Sequence, residues 1–324
     1  MTDPVYPAFS GKNEELLARL NESQTLPSPP GIAEKILALA EDPSSSINDF
    51  AEVVRVDPAL TSRLLQLANS PVYGLPREIY DVRHAITVLG LEATLSNALS
   101  IALVASIKEQ QQDGLDYQLF WRRALAGASA NRLLARHVRA PVAEHFFMAA
   151  LLQDIGMVAL ATLEPDLYLG LGKRQADHRA VSAEEEALHG ADHAVAGAWL
   201  IDRWNLPSRY VEAVLASHSG GQGSIGGENE QLAGCTAASG PIADIIYSNN
   251  LEAGVRRALG AGVEMTQLTP AALSALLVRL VAELKELGGL FDLDLGRPEF
   301  LEGQLQRGLT AIESLTGDAE PLRA

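Results

Sequence analysis

The chain has 324 residues, 47% hydrophobic and 20% charged, enough to bury a substantial core in one large or two small domains. Its formal charge of -16, from 41 acidic against 25 basic residues, excludes the broad basic surface on which general nucleic-acid binding depends. A lone cysteine, Cys235, excludes an intramolecular disulfide and any thiol-rich metal centre.

Met-Thr-Asp-Pro-Val-Tyr-Pro at the start lacks the charged and apolar regions of a signal peptide, and residues 1–12 read as a loosely held arm. Lys12 to Leu20 is short and amphipathic. Pro27-Ser-Pro-Pro30-Gly31 breaks the chain before a helix over Ile32 to Ala40, with Ile32, Ile36, Leu37 and Leu39 facing inward. Asp42 to Ser46 stops that helix and caps the next, Ile47 to Val56; Asp57-Pro58 opens another, to about Asn69. Ser70 to Pro76 is a turn. Asp81 to Leu89 and Leu91 to Ile107 are helices hinged at Gly90, and even the apolar run Leu95 to Ile107 is too short to span a bilayer, so the expected address is the cytoplasm.

Gln110 to Gly114 is the expected boundary between a first lobe, residues 13–112, and a second, residues 113–324. Beyond it, Leu119 to His137 and Val142 to Leu163 read as long helices. Ala183 to Leu188 is acidic and exposed on one side, His193 to Trp204 and Pro207 to Ser217 are helical, and Gly220 to Glu230 is a surface connection without the lysine of a phosphate-binding loop. The helical pattern resumes over Gln231 to Asn250. In the tail Leu273, Leu277, Leu280, Leu284 and Leu287 form a narrow seam, expected to pack on its own domain, with a homodimer contact as the alternative. No stretch alternates polar with apolar β-branched residues, so the fold is expected to be all-α.

The run Met148 to Gly156 carries Gln153-Asp154 among Leu151, Leu152, Ile155 and Met157. A carboxylate there needs a cationic or hydrogen-bonding partner, and Arg123, His193 and His218 are the candidates. Trp121, Trp199 and Trp204 read as core anchors, and His84, His137, His145, His178 and His189 as surface or packing residues. The helix pair joined at Asp57-Pro58 also has the spacing of a helix-turn-helix, and Arg55, Arg63, Arg77 and Arg83 are the arginines that a nucleic-acid regulator would gather on one face.

Two sets of segments carry a family resemblance. The first is Leu26 to Leu37, Val56-Asp-Pro-Ala-Leu through Ala68-Asn-Ser-Pro-Val-Tyr-Gly74, and His84 to Gly90. The second is Phe120-Trp-Arg-Arg-Ala-Leu, Ala149 to Gly156, Asp192 to Trp199 and Arg203 to Pro207. Together they resemble the HDOD domain, the HD-related output domain of bacterial signalling proteins. The wider HD superfamily comprises metal-dependent phosphohydrolases with ligands from an early His, a His-Asp pair and a late Asp; some branches add histidines. On that resemblance Arg123 stands where the early His would fall, Gln153 replaces the His of the pair, and Asp154 is retained. His193 and His218 match the auxiliary histidines, and Asp244 fits the late Asp. Because guanidinium cannot ligate a metal, the resemblance implies a degenerate site with no cofactor and a regulatory, non-catalytic role. Any residual ion would fall to Asp154, His193, His218 and Asp244. The expected partners are a signalling protein or a small ligand, not a membrane or nucleic acid. The alternatives are an HD-type phosphohydrolase acting on a nucleotide or cyclic dinucleotide, and a nucleic-acid regulator.

Overall fold

Side-chain caps divide the chain into helices. Ser46 and Asp49 close a reciprocal capping box, Asp57 accepts from the Leu60 amide ahead of Pro58, and Asp81, Asp116, Asp177, Asp192 and Thr269 each cap the helix that follows. The computed structural model describes residues 9, 13–42, 44–111, 113–218, 228–260, 266 and 268–317, and among them there is no strand. The arm expected over residues 1–12 therefore lies, Phe9 apart, outside the described residues, as does most of the Gly-rich stretch from 220 to 230.

The helices are α1 (Glu14–Glu22), α2 (Gly31–Glu41), α3 (Ile47–Arg55), α4 (Pro58–Ala68), α5 (Val82–Leu89), α6 (Leu91–Glu109), α7 (Tyr117–His137), α8 (Ala143–Leu152), α9 (Ile155–Leu163), α10 (Pro165–Leu171), α11 (His178–His189), α12 (His193–Arg203), α13 (Ser208–Ala216), α14 (Glu228–Tyr247), α15 (Leu251–Gly260), α16 (Pro270–Phe291) and α17 (Pro298–Gly317). Helices α2 to α6 pack mainly on one another, while α7 packs on α8, α14 and α16 at the centre of the remainder. One apolar core runs from Leu16 to Ile312. Helix α1 departs from the expected grouping with the first lobe, since it lies against α9 and α12. Asn21 accepts from Arg203, and the Trp204 indole donates to the Pro27 carbonyl at 3.1 Å, so the N-terminal segment straps the second half of the chain.

The segment from Val142 to Leu163 is not one helix. It breaks at Gln153-Asp154 into α8 and α9, where Asp154 leaves helical geometry (φ -105°, ψ 8°). An unbroken helix would fix this buried carboxylate to the α8 axis, whereas it must meet groups from α7, α11 and α12. Two segments, Leu91–Glu109 and Ala143–Leu163, are also longer and more apolar than expected, enough on length and composition to cross a membrane. Their apolar windows are 67% and 89% buried inside the protein, because each is a core element covered by neighbouring helices. The five tail leucines are all buried on α16, which packs against α7 and α17.

A second polar system joins the parts. Asn69 holds the Ser70–Ile79 turn through both the Ile79 amide (2.7 Å) and carbonyl (2.8 Å). Within that turn Tyr73 accepts from Asn97 at 2.6 Å and donates to Glu144 at 3.2 Å. Nearby, fully buried Arg132 donates to Glu283 of α16 at 2.8 Å and lies over the Phe147 ring. The Tyr73 hydroxyl is pushed far up by burial and by Glu144, so it remains a proton donor.

Candidate functional site: an arginine–carboxylate ladder beside a histidine cluster

The sequence-predicted partners of Asp154 all reach it, though not as one ligand set. Arg123, on the second turn of α7, donates from Nη1 to Asp154 Oδ2 and from Nε to Asp244 Oδ1 at 2.9 Å. Arg257 donates to the other oxygen of Asp244 at 2.8 Å. The result is an alternating ladder, Arg257–Asp244–Arg123–Asp154, in which both carboxylates are about 5% exposed or less. Burial raises the Asp154 carboxyl, but Arg123 and the neighbouring histidines outweigh it and hold it well below the usual carboxylate range. Asp244 therefore serves the two arginines and stands apart from the histidines. Gln153 lies beside the ladder, 2% exposed, between Gly127 of α7 and Gly240 of α14. A Cβ on Gly240 would come within 2.9 Å of Arg123 Nη2, so a small residue is needed there to admit the guanidinium.

On the other side of Asp154 three imidazoles converge. His178 Nε2 lies 3.1 Å from both His193 Nε2 and His218 Nε2, and 3.5 Å from Asp154 Oδ1, which is also 3.6 Å from His193 Nε2. His178 is thus a site residue, not the packing residue expected. It begins α11 just after the cap Asp177, as His193 begins α12 just after Asp192, and this repeated Asp-His pair at two helix starts was the available signal. The outer nitrogens are oriented by carboxylates. His193 Nδ1 donates to Glu185 Oε2 at 2.5 Å and His218 Nδ1 to Asp192 Oδ2 at 2.5 Å. Glu185 is itself fully buried and accepts from the Tyr168 hydroxyl at 2.5 Å and the His193 amide at 2.9 Å. Sequence reasoning missed Glu185, because its neighbours Glu184 and Glu186 make the segment look like a solvated face.

The close approach of two helix backbones sets this geometry. A Cβ on Gly156 would collide with the His193 carbonyl oxygen and sit 2.5 Å from the Gly197 amide. The Asp-Ile-Gly of the α8–α9 break therefore places Asp154 against the start of α12, and only glycine fits at 156.

Asp154, His178, His193 and His218 offer ligand atoms all within 4.8 Å of one another. Ions held tetrahedrally through bonds of about 2.1 Å separate their ligands by about 3.4 Å, close to the spacings given above. Among the described residues Asp154 Oδ1 has no hydrogen-bond partner, and the carboxylate-held Nδ1 atoms of His193 and His218 leave their Nε2 atoms facing inward, as in metal-ligating histidines. The residues present fit a divalent metal ion. The expected residual set is thereby regrouped, with His178 entering and Asp244 leaving. His178 is pushed well below its ordinary range by burial and by Arg123. Burial also opposes charge on His193, but Glu185 and Asp154 prevail and push it up, so His193 Nε2–H donates to its unprotonated neighbour.

A pocket of about 660 Å³ opens over Arg123, His178 and His218, with Arg179, Arg256 and Arg257 among its walls. The arginines considered for nucleic acid lie elsewhere. Arg55 acts on Asp81 and Arg63 on Asp292, and none of Arg55, Arg63, Arg77 and Arg83 lines the pocket.

The model of the HDOD domain matches residues 26–220, most of the chain. The chain belongs to the HDOD domain family. An uncharacterized protein of Treponema pallidum (strain Nichols) is 24% identical over 196 residues, which is 59% of this chain but only 37% of that protein. An HDOD domain protein of unknown function from Geobacter sulfurreducens superposes with a TM-score of 0.64 at 21% identity, over 88% of this chain and 97% of its own. A candidate phosphohydrolase from Shewanella amazonensis SB2B gives 0.60 at 20% identity, over 94% and 98%. At these identities the likeness establishes the helical HDOD fold.

Proposed function

We propose that this HDOD protein is a non-catalytic signalling module whose centre holds one divalent metal ion and does not hydrolyse phosphoesters. Arg123 carries the reading, because its guanidinium occupies both Asp154 Oδ2 and Asp244 Oδ1. In two-ion hydrolysis a second cation at such carboxylates would lower the pKa of a bound water. Guanidinium supplies the charge but neither an open coordination position nor an exchangeable ligand.

His178, His193 and His218 would hold the ion through Nε2 and Asp154 through Oδ1. When bound, the ion supplies positive charge that cross-links ligands otherwise in mutual contact. Those ligands come from α11, α12, the end of α13 and the α8–α9 break, so occupancy stiffens four elements together. A change in that stiffness is a signal that a partner protein or small ligand can read.

The second reading, a metal-dependent phosphohydrolase, is supported by the open pocket over the same histidines. One experiment separates the two. Purified protein is loaded with Mn, Fe or Zn, its metal content measured, and its turnover of bis(p-nitrophenyl) phosphate followed. About one ion per chain, lost in Asp154→Ala and His178→Ala, with no turnover, is the expected result. Turnover that both substitutions abolish would replace this reading with the hydrolase, and a metal-free loaded protein would overturn the metal site.

A further inference from the structure

We propose that Arg179 and Arg256, backed by Arg257, form a rim that captures a small ligand bearing two or more phosphate groups. The proposal deepens the ligand-binding reading above by naming the ligand's chemistry.

The pocket is cationic in a chain whose charge is -16. Its acidic groups are already engaged: Asp244 by Arg123 and Arg257, Asp192 by His218, and Glu186 also has a partner. The Arg179 and Arg256 side chains are exposed and, among the described residues, form neither a salt bridge nor a side-chain hydrogen bond. The same three arginines also line an adjoining cavity of about 450 Å³ with Ser248, Asn250 and Asp177, whose carboxylate is held by the Ala180 amide as the cap of α11. Other exposed arginines, such as Arg77 and Arg139, also form no salt bridge among the described residues, so what sets Arg179 and Arg256 apart is that they line a pocket.

Size and composition narrow the ligand. A pocket of about 660 Å³ far exceeds one phosphate ion, and guanidinium groups stand both at its floor (Arg123) and at its rim. Among the described residues no Phe, Tyr or Trp lines it, so charge and guanidinium hydrogen bonds supply the recognition rather than aromatic stacking. A ligand with linked phosphates can engage floor and rim together. Arg256 and Arg257 lie on α15, beyond residues 26–220 that match the family, whereas Arg179 and the three histidines lie within them.

The test is calorimetric titration of the full-length protein with inorganic pyrophosphate, inorganic triphosphate and ATP, at low and at moderate salt. The proposal expects saturable binding that weakens with salt. It also expects the Arg179→Ala/Arg256→Ala double variant, with an unchanged melting temperature, to weaken binding about tenfold or more. Arg77→Ala, remote from the pocket, is expected to bind normally. Absence of binding at millimolar probe, or equal binding by the double variant, overturns the rim. Metal content measured on the same samples keeps the two readings apart. A rimless protein that still loads metal leaves the metal site standing, and phosphate binding by a protein that loads no metal supports the rim while removing the metal site.

Discussion

Arg123 is the residue on which the centre turns. It neutralises two carboxylates that its own helix does not carry, and its pKa is pushed further up because Asp154 and Asp244 more than offset the cost of burial. Removing one partner of a buried charged set leaves the others uncompensated, which typically costs about 3–5 kcal/mol. Arg123→Ala is expected to lose stability on that scale in urea denaturation, and a loss below about 1 kcal/mol would mean the carboxylates find other partners. His145 gives the pH counterpart. Burial, and then Arg209, lower its pKa from 6.5 to about 4. The unfolded chain takes up the proton first, so this residue's contribution is complete above about pH 6.5 and is lost as pH falls toward 4. Stability between pH 7 and 4.5 is expected to fall by roughly 2 kcal/mol more in the native chain than in His145→Gln. Equal pH slopes would show that His145 titrates normally in the fold. At this scale the sequence was legible where chemistry is local. Asp154 in an apolar run demanded a cation, but which histidine stands opposite depends on how α11 returns to α12, and no spacing along the chain encodes that.

Among the elements, the α8–α9 break and its contact with α12 do most to shape the site. Apolar periodicity runs through Val142 to Leu163 without interruption, and so the pattern reads as one helix. The break is specified instead by what Asp154 and Gly156 meet in three dimensions, the histidines and the α12 backbone. Gly156→Ala forces a methyl group against the His193 carbonyl and the Gly197 amide, neither of which is a movable side chain. It is expected to destabilise by about 3 kcal/mol or more, within the range of overpacked cores, and to displace the imidazole signal of His193 in NMR spectra. An unperturbed His193 resonance in a stable Gly156→Ala protein would show that α9 and α12 can separate at little cost. Most other boundaries followed from caps and prolines that act within four residues, which is why α3, α4 and α5 were readable from Ser46, Asp57-Pro58 and Asp81 alone. The tail seam was equally readable, since leucines at Leu273, Leu277, Leu280, Leu284 and Leu287 share one face of α16 and all five are buried.

At the scale of the whole molecule, the family segment and the folding unit do not coincide. The family match ends at residue 220, yet α14 is among the most heavily packed helices, lying against α7, α8, α13 and α15. It brings Asp244 to Arg123, and its Ala233, Cys235, Ile242, Ile245 and Ile246 are each 0% exposed. Helix α16 brings Glu283 to Arg132, whose guanidinium has no exposure to solvent and no other carboxylate bonded to it among the described residues. Ending the chain at residue 220 would therefore remove Glu283 from buried Arg132 and one of the two carboxylates from Arg123, and uncover the apolar face of α7 at once. The uncompensated Arg132 charge alone costs about 3–5 kcal/mol, a large part of the stability of a typical domain, about 5–15 kcal/mol, and the uncovered α7 face adds to it. The truncated protein is expected to lack cooperative thermal unfolding and to bind a hydrophobic dye, while the full chain unfolds in a sharp transition. A truncated chain that melts cooperatively near the temperature of the intact one would show that residues 26–220 fold independently. The ladder from Arg257 to Asp154 would then be an addition to a finished domain, not a part of its core.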